Sequence, residues 1–362
     1  MLASSLHVLR CTAPLYDEAA HLIRMLLATP DMPIALPLIG HMLHSICSTD
    51  PSSDSSSNPS SDPSSDPVDD LYVLYSGCAK PADASLLTLE ETQVVLIAMA
   101  GEDHKGNSDT GFSAVFAVRT RNEQLRQVAV QLLLQSVKTM MHSKAKGDQG
   151  LTLSACPMSC LPFVDTMATY NWLGGIYHLF MANAPTARYN VAIGSSWVDE
   201  VTGETFVIDR LQASDIPSVM AEVTVNYSRH YVDLIGLSYP CSEMNCVIRA
   251  FPPGVDPTLS SRLVGKPVSW AMTHDDLQLG VLATVDAYRN RKLAARCVEV
   301  VSRLQMTFLR SRFGDLLCDG FPVIYGFVKN GNTASSSVME GCGYRRTVQD
   351  QFQWLGVNAS SL

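Results

Sequence analysis

Residues 277–328 hold an amphipathic helix pattern between two apolar segments, and this order leaves few folds open to the chain. Apolar residues run through 277–285 and again through 321–328, as in buried strands. Between them apolar residues recur every three or four positions, which predicts a helix with one buried face: Leu293, Cys297, Val301, Leu304 and Phe308. A strand, a crossover helix and a second strand form a parallel pair. We therefore predict an α/β fold with a mixed sheet.

The surrounding sequence supplies further strands and helices. Strand patterns occupy residues 206–208, 246–248 and 267–273, and a short helix fits 332–340. Another helix begins near Asp215 and Pro217, with Ser214 as its predicted cap. In the first half of the chain, strands are predicted in three segments and a helix in a fourth: 71–75, 93–98, 112–118 and 122–142.

A Ser/Asp/Pro-rich segment and the chain length suggest the domain organisation. Residues 48–70 contain no apolar anchor and are predicted to form a disordered insertion. A chain of 362 residues is long for one core. The sequence Asn-Ala-Pro-Thr at 183–186 is typical of a boundary. We predict an N-terminal α/β domain over 1–190 and a second domain over 200–362.

Composition excludes several classes of partner. The net charge is −9, from 26 basic and 35 acidic residues, and no basic stripe suited to nucleic acid is visible. No run of about 18 apolar residues predicts a membrane span. The ten cysteines lack zinc-site spacing, so we expect reduced thiols and no metal. The first sixteen residues contain Arg10 and no acidic residue, a weak resemblance to a transit peptide. Both a cytoplasmic and a mitochondrial location therefore stay open.

The loop before the predicted helix carries the main functional signal. Residues 288–294 read Tyr-Arg-Asn-Arg-Lys-Leu-Ala and lead directly into that helix. A helix N-terminus presents free amide groups and a partial positive charge, which favour an anion such as a pyrophosphate. Coenzyme A contains a pyrophosphate, so a CoA thioester is a candidate ligand.

At this loop the sequence resembles the GNAT acyltransferases, and more closely their glycine N-acyltransferase family. The GNAT loop, Arg/Gln-x-x-Gly-x-Gly/Ala, corresponds here to residues 289–294. The family's other segments correspond to Lys-Pro-Val-Ser-Trp at 266–270, Asp-Ala-Tyr-Arg at 286–289, Gly-Phe-Pro-Val at 320–323 and Asn-Thr-Ala at 332–334. The match covers about 264–346, with weaker similarity back to about 206. Core strands of another α/β fold are the alternative interpretation of these segments.

The resemblance implies a GNAT fold in the C-terminal half, with the fourth and fifth strands parallel and splayed apart. Family members have an N-terminal domain that is often a degenerate GNAT copy, and the α/β pattern of 1–190 is compatible with one. The implied reaction transfers an acyl group from acyl-CoA directly to the amine of a small amino acid such as glycine. Acyl-CoA is then a co-substrate, and no permanently bound cofactor is expected.

The resemblance also assigns roles to individual residues. The pantetheine arm of CoA is expected along the fourth strand, at Leu282, Ala283, Thr284 and Val285. The pyrophosphate is expected at Arg289, Asn290, Arg291, Lys292, Leu293 and Ala294. Asn332 occupies the place of a family asparagine near the CoA arm.

Two positions depart from the family pattern. Lys292 replaces a loop glycine, and its side chain either adds a charge for a phosphate or obstructs the site. Gln278, eight residues after Trp270, occupies the position of the family's glutamate base, and a neutral amide cannot accept the proton of an ammonium group. His274, Asp275 and Asp276 are the substitute candidates, although their segment is also typical of a solvated turn.

These departures keep two other functions open. One is a CoA-binding relative with impaired catalysis, and the other is a general GNAT N-acetyltransferase acting on a peptide or polyamine amine.

Overall fold

The computed structural model describes residues 6–12, 22–24, 26, 35–40, 42–43, 70–76, 93–103, 111–118, 120, 122–143, 150–184, 186–255, 257, 265–314, 323–358 and 362. The chain divides into two compact units: unit 1 comprises residues 1–179 and 347–362, and unit 2 comprises residues 180–346. No helix in these described ranges is long and apolar enough to cross a membrane.

Unit 1 is a mixed sheet with a long helix. Its strands are β1 (Leu6–Thr12), β2 (Asp70–Ser76), β3 (Gln93–Asp103), β4 (Gly111–Val118), β5 (Gly150–Pro157), most of β6 (Tyr170–Ala182) and most of β13 (Arg345–Asn358). Their order is β1-β2-β3-β4-β5-β13-β6. Neighbours from β1 to β4 are antiparallel, whereas β4 and β5 are parallel. Helix α1 (Glu123–Ser143) connects β4 to β5, and the short helix α2 (Leu161–Asp165) follows β5.

Unit 2 repeats this order of elements. Its strands are β7 (Ser196–Val198), β8 (Thr205–Asp209), β9 (Cys246–Phe251), β10 (Lys266–Thr273), β11 (Leu279–Thr284) and β12 (Ile324–Lys329). Neighbours from β7 to β11 are antiparallel, and β11 and β12 are parallel. Helices α3 (Ile216–Glu222) and α4 (Arg229–Leu237) lie between β8 and β9 in sequence, α5 (Leu293–Phe313) connects β11 to β12, and α6 (Thr333–Gly341) follows β12.

The apolar faces of α3 and α4 pack on the β-sheet of unit 2. Tyr231, Val232 and Ile235 of α4 are buried against Trp270 and Met272 of β10. On α5 the predicted stripe is buried at Leu293, Cys297 and Val301, and that face contacts β9, β10 and β11. The sheet of unit 2 is therefore fixed by α3, α4 and α5, and β11 lies in its interior.

The mixed α/β class and the strand–helix–strand order predicted for residues 277–328 are confirmed. The predicted parallel strands are β11 and β12, and the predicted crossover helix is α5. The helix predicted at 122–142 is α1. Six cysteines are buried free thiols: Cys156, Cys160, Cys241, Cys246, Cys297 and Cys342.

The predicted cap of α3 is wrong. Ser214 lies inside a 3-10 turn, Ala213–Asp215, that precedes the helix. Gln212 and Asp215 form a reciprocal capping box around this turn, in which the Gln212 amide donates to the Asp215 carboxylate at 2.8 Å. A carboxylate makes a stronger, charge-assisted hydrogen bond than a serine hydroxyl, and the ion pair with Arg249 compensates the burial of the Asp215 side chain.

Some predictions about the insertion and the domain boundary are not tested by the structure. Of the predicted insertion at 48–70, only Asp70 is described, as the first residue of β2, and Pro185 of the predicted boundary lies outside the described residues. The division into domains 1–190 and 200–362 stays a prediction, although residues 347–362 group with unit 1 in the structure.

Candidate functional site

Strand β11 contains a bulge where the resemblance expects the donor thioester. Trp270 pairs with Ala283 and Met272 pairs with Gly280, so Ala271 alone opposes the two residues Val281 and Leu282. Val281 has φ of 45°, a left-handed conformation that is strained for a β-branched residue. A bulge bends its strand and re-aims the backbone groups.

Strands β11 and β12 separate beyond one point of contact. Their described parallel pairing consists of Leu279 opposite Gly326. The carboxyl end of β11, from Val281 to Thr284, therefore has no described ladder partner on the β12 side. Residues 282–285 are half-buried. The predicted splay leaves a backbone edge that an extended ligand could pair with.

The loop after β11 ends in an open helix N-terminus. A 3-10 turn, Asp286–Tyr288, leads into Asn290 and Lys292, whose φ values are 65° and 63°. Lys292 is the residue before α5, and its side chain makes no capping hydrogen bond. Arg296 makes the first intrahelical bond, to the Lys292 carbonyl at 3.2 Å. By helix geometry, the amides of residues 293–295 have no intrahelical acceptor and can bind an anion.

The corresponding helix of unit 1 is closed by its own residues. The Asn122 side-chain oxygen accepts from the Leu125 amide at 3.2 Å, in the first turn of α1. The acidic Glu123 also begins that helix, where it interacts with the partial positive charge. Unit 1 and unit 2 share an order of elements, but the helix N-terminus left open is that of α5.

Two of the predicted phosphate-binding cations already have carboxylate partners. Arg289 pairs with Asp286 at 2.6 Å and donates to the Thr284 carbonyl. Arg291 pairs with Asp199 at 2.7 Å and Glu204 at 3.2 Å. Sequence reasoning missed both carboxylates of the Arg291 pair because they are about ninety residues away along the chain. The exposed Lys292, in contrast, has no ion pair among the described residues.

The Arg291 contacts anchor the loop to the β7–β8 hairpin. The Arg291 guanidinium lies 4.9 Å from the centre of the Tyr288 ring, and the Tyr288 hydroxyl donates to Glu204 at 2.9 Å. Burial alone would raise the pKa of Glu204, but hydrogen bonds from Thr202, Tyr288 and Arg291 lower it. Burial and the Glu204 carboxylate raise the pKa of Tyr288. Arg291 therefore positions the loop's backbone.

The turn between β10 and β11 holds the three predicted catalytic residues. The His274 and Gln278 backbones pair across it, with N···O at 2.9 Å, and all three side chains are buried. The Asp276 carboxylate accepts from the Gln278 amide at 3.2 Å, as in a local turn. The Gln278 side-chain amide makes no hydrogen bond to the described residues. The structure thus brings His274, Asp276 and Gln278 together in one turn, but their side chains differ in the hydrogen bonds that they make.

His274 belongs to a hydrogen-bonded cluster that the sequence did not reveal. The Tyr231 hydroxyl of α4 lies 2.8 Å from His274 Nδ1 and donates to Asp275 Oδ1 at 2.8 Å. Burial and the Asp275 charge raise the pKa of Tyr231, so its hydroxyl stays protonated. The rings of Tyr231 and His274 stack at 17°. Aromatic residues on a helix are usually core residues, so no sequence signal identified Tyr231.

His274 also lies against the backbone of β11. A Cβ on Gly280 would lie 2.3 Å from His274 Nε2, so this position must be glycine for the imidazole to lie here. Gly280 directly precedes the bulged Val281. The Tyr325 hydroxyl of β12 donates to the Asp276 carbonyl and holds the same turn from its other side. His274 Nε2 therefore borders the bulge.

Asn332 serves as a helix cap in the structure. Its side-chain oxygen accepts from the Ser335 amide at 3.1 Å, in the first turn of α6. The predicted contact with the CoA arm stays a prediction, and the cap explains why an asparagine fits this position.

Comparison with known proteins supports the fold. No family model and no curated protein matches the chain. A Drosophila protein solved by X-ray crystallography is similar at 12% identity with a TM-score of 0.53, covering 96% of this chain and 98% of its own. At this identity the likeness shows the fold alone.

Two GNAT structures are also similar, with TM-scores below 0.5. A GCN5-related N-acetyltransferase from Sphaerobacter thermophilus has 10% identity and a TM-score of 0.49, covering 97% of this chain and 96% of its own. A tandem GNAT protein from the clavulanic acid biosynthesis pathway has 10% identity and a TM-score of 0.47, covering 98% of this chain and 99% of its own.

Proposed function

We propose that unit 2 is an acyl-CoA-dependent N-acyltransferase whose acceptor is the amine of a small amino acid such as glycine. The uncapped N-terminus of α5, directly after a bulged strand that separates from its parallel neighbour, carries this proposal. The amides of 293–295 suit the pyrophosphate, and the free edge of β11 suits the amide-containing pantetheine arm. Lys292, Asn290 and Ala294 flank the same cradle, whereas Arg289 and Arg291 hold its shape. The proposal leaves both a cytoplasmic and a mitochondrial location open.

The reaction needs a neutral amine and a site for the thioester oxygen. The amine nitrogen attacks the thioester carbonyl carbon, the C–S bond breaks, and CoA leaves as the thiolate, which takes up a proton. Backbone N–H groups at the Val281–Leu282 bulge would donate to the oxygen as it gains negative charge. Two protons leave the nitrogen. The ammonium group loses one to a base before the neutral amine attacks, and the tetrahedral intermediate loses the second as it collapses, so that this proton can pass to the CoA thiolate.

His274 is our candidate for the base that takes the first proton. Tyr231 gives its one hydroxyl proton to Asp275, so it accepts from His274 Nδ1–H. That tautomer leaves the lone pair on Nε2, which borders Gly280 and the bulge. Asp276 is a weaker candidate because the turn amide occupies its carboxylate. Gln278 contributes no base but lines the same turn.

A thiol-release assay with a panel of acyl-CoAs and amines tests the proposal. We expect release with glycine or another small amino acid, and a rate about 10²–10⁴-fold lower in His274→Gln. His230→Gln, which changes an exposed histidine of α4, is the control and should retain the wild-type rate. A rate that is equal in all three proteins would remove His274 from the mechanism.

A catalytically impaired CoA-binding relative is the second candidate, and Gln278 at the family's glutamate position favours it. Gln278→Glu separates the two. If the wild type binds CoA but releases no thiol with any donor, and Gln278→Glu turns over, the chain is a binding protein. If the wild type prefers a peptide or polyamine amine, the chain is an acyltransferase of the general GNAT type.

A further inference from the structure

Arg296, beside the candidate cradle, forms no ion pair with a carboxylate of the described residues. It lies in α5 one turn after Leu293, and its guanidinium carbon is 4.7 Å from the centre of the Tyr189 ring and 4.3 Å from that of Trp197. Its Nε is completely buried and has no hydrogen-bond partner. Among the described residues, no carboxylate or carbonyl lies within hydrogen-bond distance of this guanidinium.

Four other arginines of unit 2 are matched to carboxylates. Arg249, Arg289, Arg291 and Arg303 each form an ion pair. Glu299, one turn after Arg296, is not available as its counter-ion. The Glu299 oxygens accept from the Tyr189 and Val191 amides at 2.8 and 3.4 Å and from Arg303 at 2.9 Å. Arg296 is therefore half-buried and interacts with the Glu299 charge only at longer range, without a hydrogen-bonded ion pair to a described residue.

Such an arrangement is unfavourable for the protein alone. Burial lowers the pKa of Arg296, because the charged form loses hydration. The two aromatic rings offer cation–π attraction but no lone pairs to the N–H groups. An anion that accepts from the guanidinium would remove the cost, and arginine's planar fork suits phosphate oxygens.

We propose that Arg296, held by Tyr189 and Trp197, binds a phosphate group at the nucleotide end of acyl-CoA. This inference rests on the proposed function. The amides of 293–295 belong to the same helix turn as Arg296, so a pyrophosphate at those amides would lie close to this side chain. Coenzyme A carries two kinds of phosphate, the pyrophosphate and the 3′-phosphate, and either can supply the oxygens.

Calorimetry with CoA, dephospho-CoA and adenosine 3′,5′-bisphosphate tests this site. Arg296→Met keeps the apolar contacts with both rings and removes the charge. We expect it to weaken CoA binding about 10-fold or more, the range for a charge-assisted hydrogen bond. Arg296→Lys should recover part of the affinity. Arg303→Met removes another cation from α5 and should leave CoA affinity unchanged.

The three ligands identify the phosphate. If Arg296→Met weakens the binding of CoA and of adenosine 3′,5′-bisphosphate but not the binding of dephospho-CoA, Arg296 binds the 3′-phosphate. If the binding of CoA and of dephospho-CoA is weakened equally, Arg296 binds the pyrophosphate. Both results support the site.

Stability of the ligand-free protein supplies an independent measurement. A purely structural Arg296 would lose its cation–π contacts in Arg296→Met and lower the melting temperature. An anion site predicts a melting temperature equal to or above that of the wild type, because an uncompensated charge is gone. CoA binding that is unchanged in Arg296→Met overturns the inference and leaves the proposed function standing. A wild type that binds none of the three ligands overturns both.

Discussion

At the scale of single residues, Lys292 replaces the glycine of the family motif, yet its backbone keeps the conformation that a glycine would adopt there. Its backbone adopts φ of 63° and ψ of 15°, the left-handed conformation that glycine adopts freely. The sequence identified this departure, since the family motif has a glycine there. It left open whether the lysine would obstruct the site, and the structure places Lys292 on the surface.

Lys292→Gly should stabilise the protein by about 1 kcal/mol, because a residue with a Cβ is strained in the left-handed region. Urea unfolding measures the change. Lys292→Ala removes the charge but keeps the strain, so its free energy of unfolding should match the wild type. Equal stability of the glycine and alanine variants would show that the conformation costs nothing.

Glu204 makes the stability of unit 2 depend on pH, and this stability is expected to decrease as the pH falls. Its hydrogen bonds to Thr202, Tyr288 and Arg291 outweigh burial and lower its pKa from the ordinary value of 4.5. A lowered native pKa adds stability above the unfolded-state pKa, and this is lost as pH falls through the native pKa. We expect wild-type stability to fall below pH 4.5 more steeply than that of Glu204→Gln. Urea unfolding at neutral and acidic pH measures this slope, and identical slopes would exclude the Glu204 contribution.

Residue roles that depend on distant partners could not be predicted from sequence. Counting from Trp270 located Gln278 and led to His274, because a hairpin keeps near neighbours together. Tyr231 was not found, since it meets His274 only after α4 packs on β10. Asp199 and Glu204 likewise meet Arg291 only in the folded unit.

At the scale of elements, periodicity predicted the helix and strands that build the site. The apolar stripe of α5 and its two flanking strands are local patterns, and the structure confirms them as a parallel pair with a crossover helix. The start of α3 was less predictable. Its first turn is fixed by Arg249 of β9, which contacts Asp215 from 34 positions away.

Breaking the Arg249 contact should cost far more than breaking an exposed pair. Arg249 and Asp215 have side chains only 3% and 2% exposed and meet at 2.7 Å, and the carboxylates of Asp215 and Asp209 outweigh burial to raise the pKa of Arg249. Arg249→Met leaves the Asp215 charge buried, so we expect a loss of roughly 3–5 kcal/mol in unfolding free energy.

Arg229→Met is the matched control for Arg249→Met. Arg229 pairs with Asp233 on α4, with side chains 54% and 36% exposed. Its removal should cost less than about 0.5 kcal/mol. Comparable losses in the two variants would mean that burial of the Arg249 pair does not set its importance.

At the scale of the whole molecule, both units place a long helix between two parallel strands, and these two helices differ at their N-termini. Helices α1 and α5 each have 21 residues and each connect two parallel strands. Asn122 caps the first turn of α1, whereas α5 begins after an uncapped Lys292. The sequence predicted an α/β pattern in residues 1–190, but the motif similarity did not extend there, and the difference in capping was not predicted.

The last strand belongs to unit 1, and a core substitution there should show it. Leu355 of β13 is fully buried in the core of unit 1, with Leu153 and Val357. Leu355→Ala should cost about 2–5 kcal/mol. Hydrogen exchange should then accelerate at the amides of β4, α1 and β5 and stay unchanged at β9 and β10. Loss of protection confined to β9 and β10 would contradict this assignment.

If the open N-terminus of α5 binds the phosphates of acyl-CoA, a charge placed at Ala294 should change CoA affinity. Ala294 is the second residue of α5, so Ala294→Glu places a negative charge where it favours the helix but repels a phosphate. Ala294→Gln has the same size and no charge. We predict that calorimetry gives a CoA dissociation constant roughly 10-fold or more higher in Ala294→Glu than in Ala294→Gln, without loss of thermal stability. Equal CoA affinity in the two variants, or a wild type that does not bind CoA, would contradict the account.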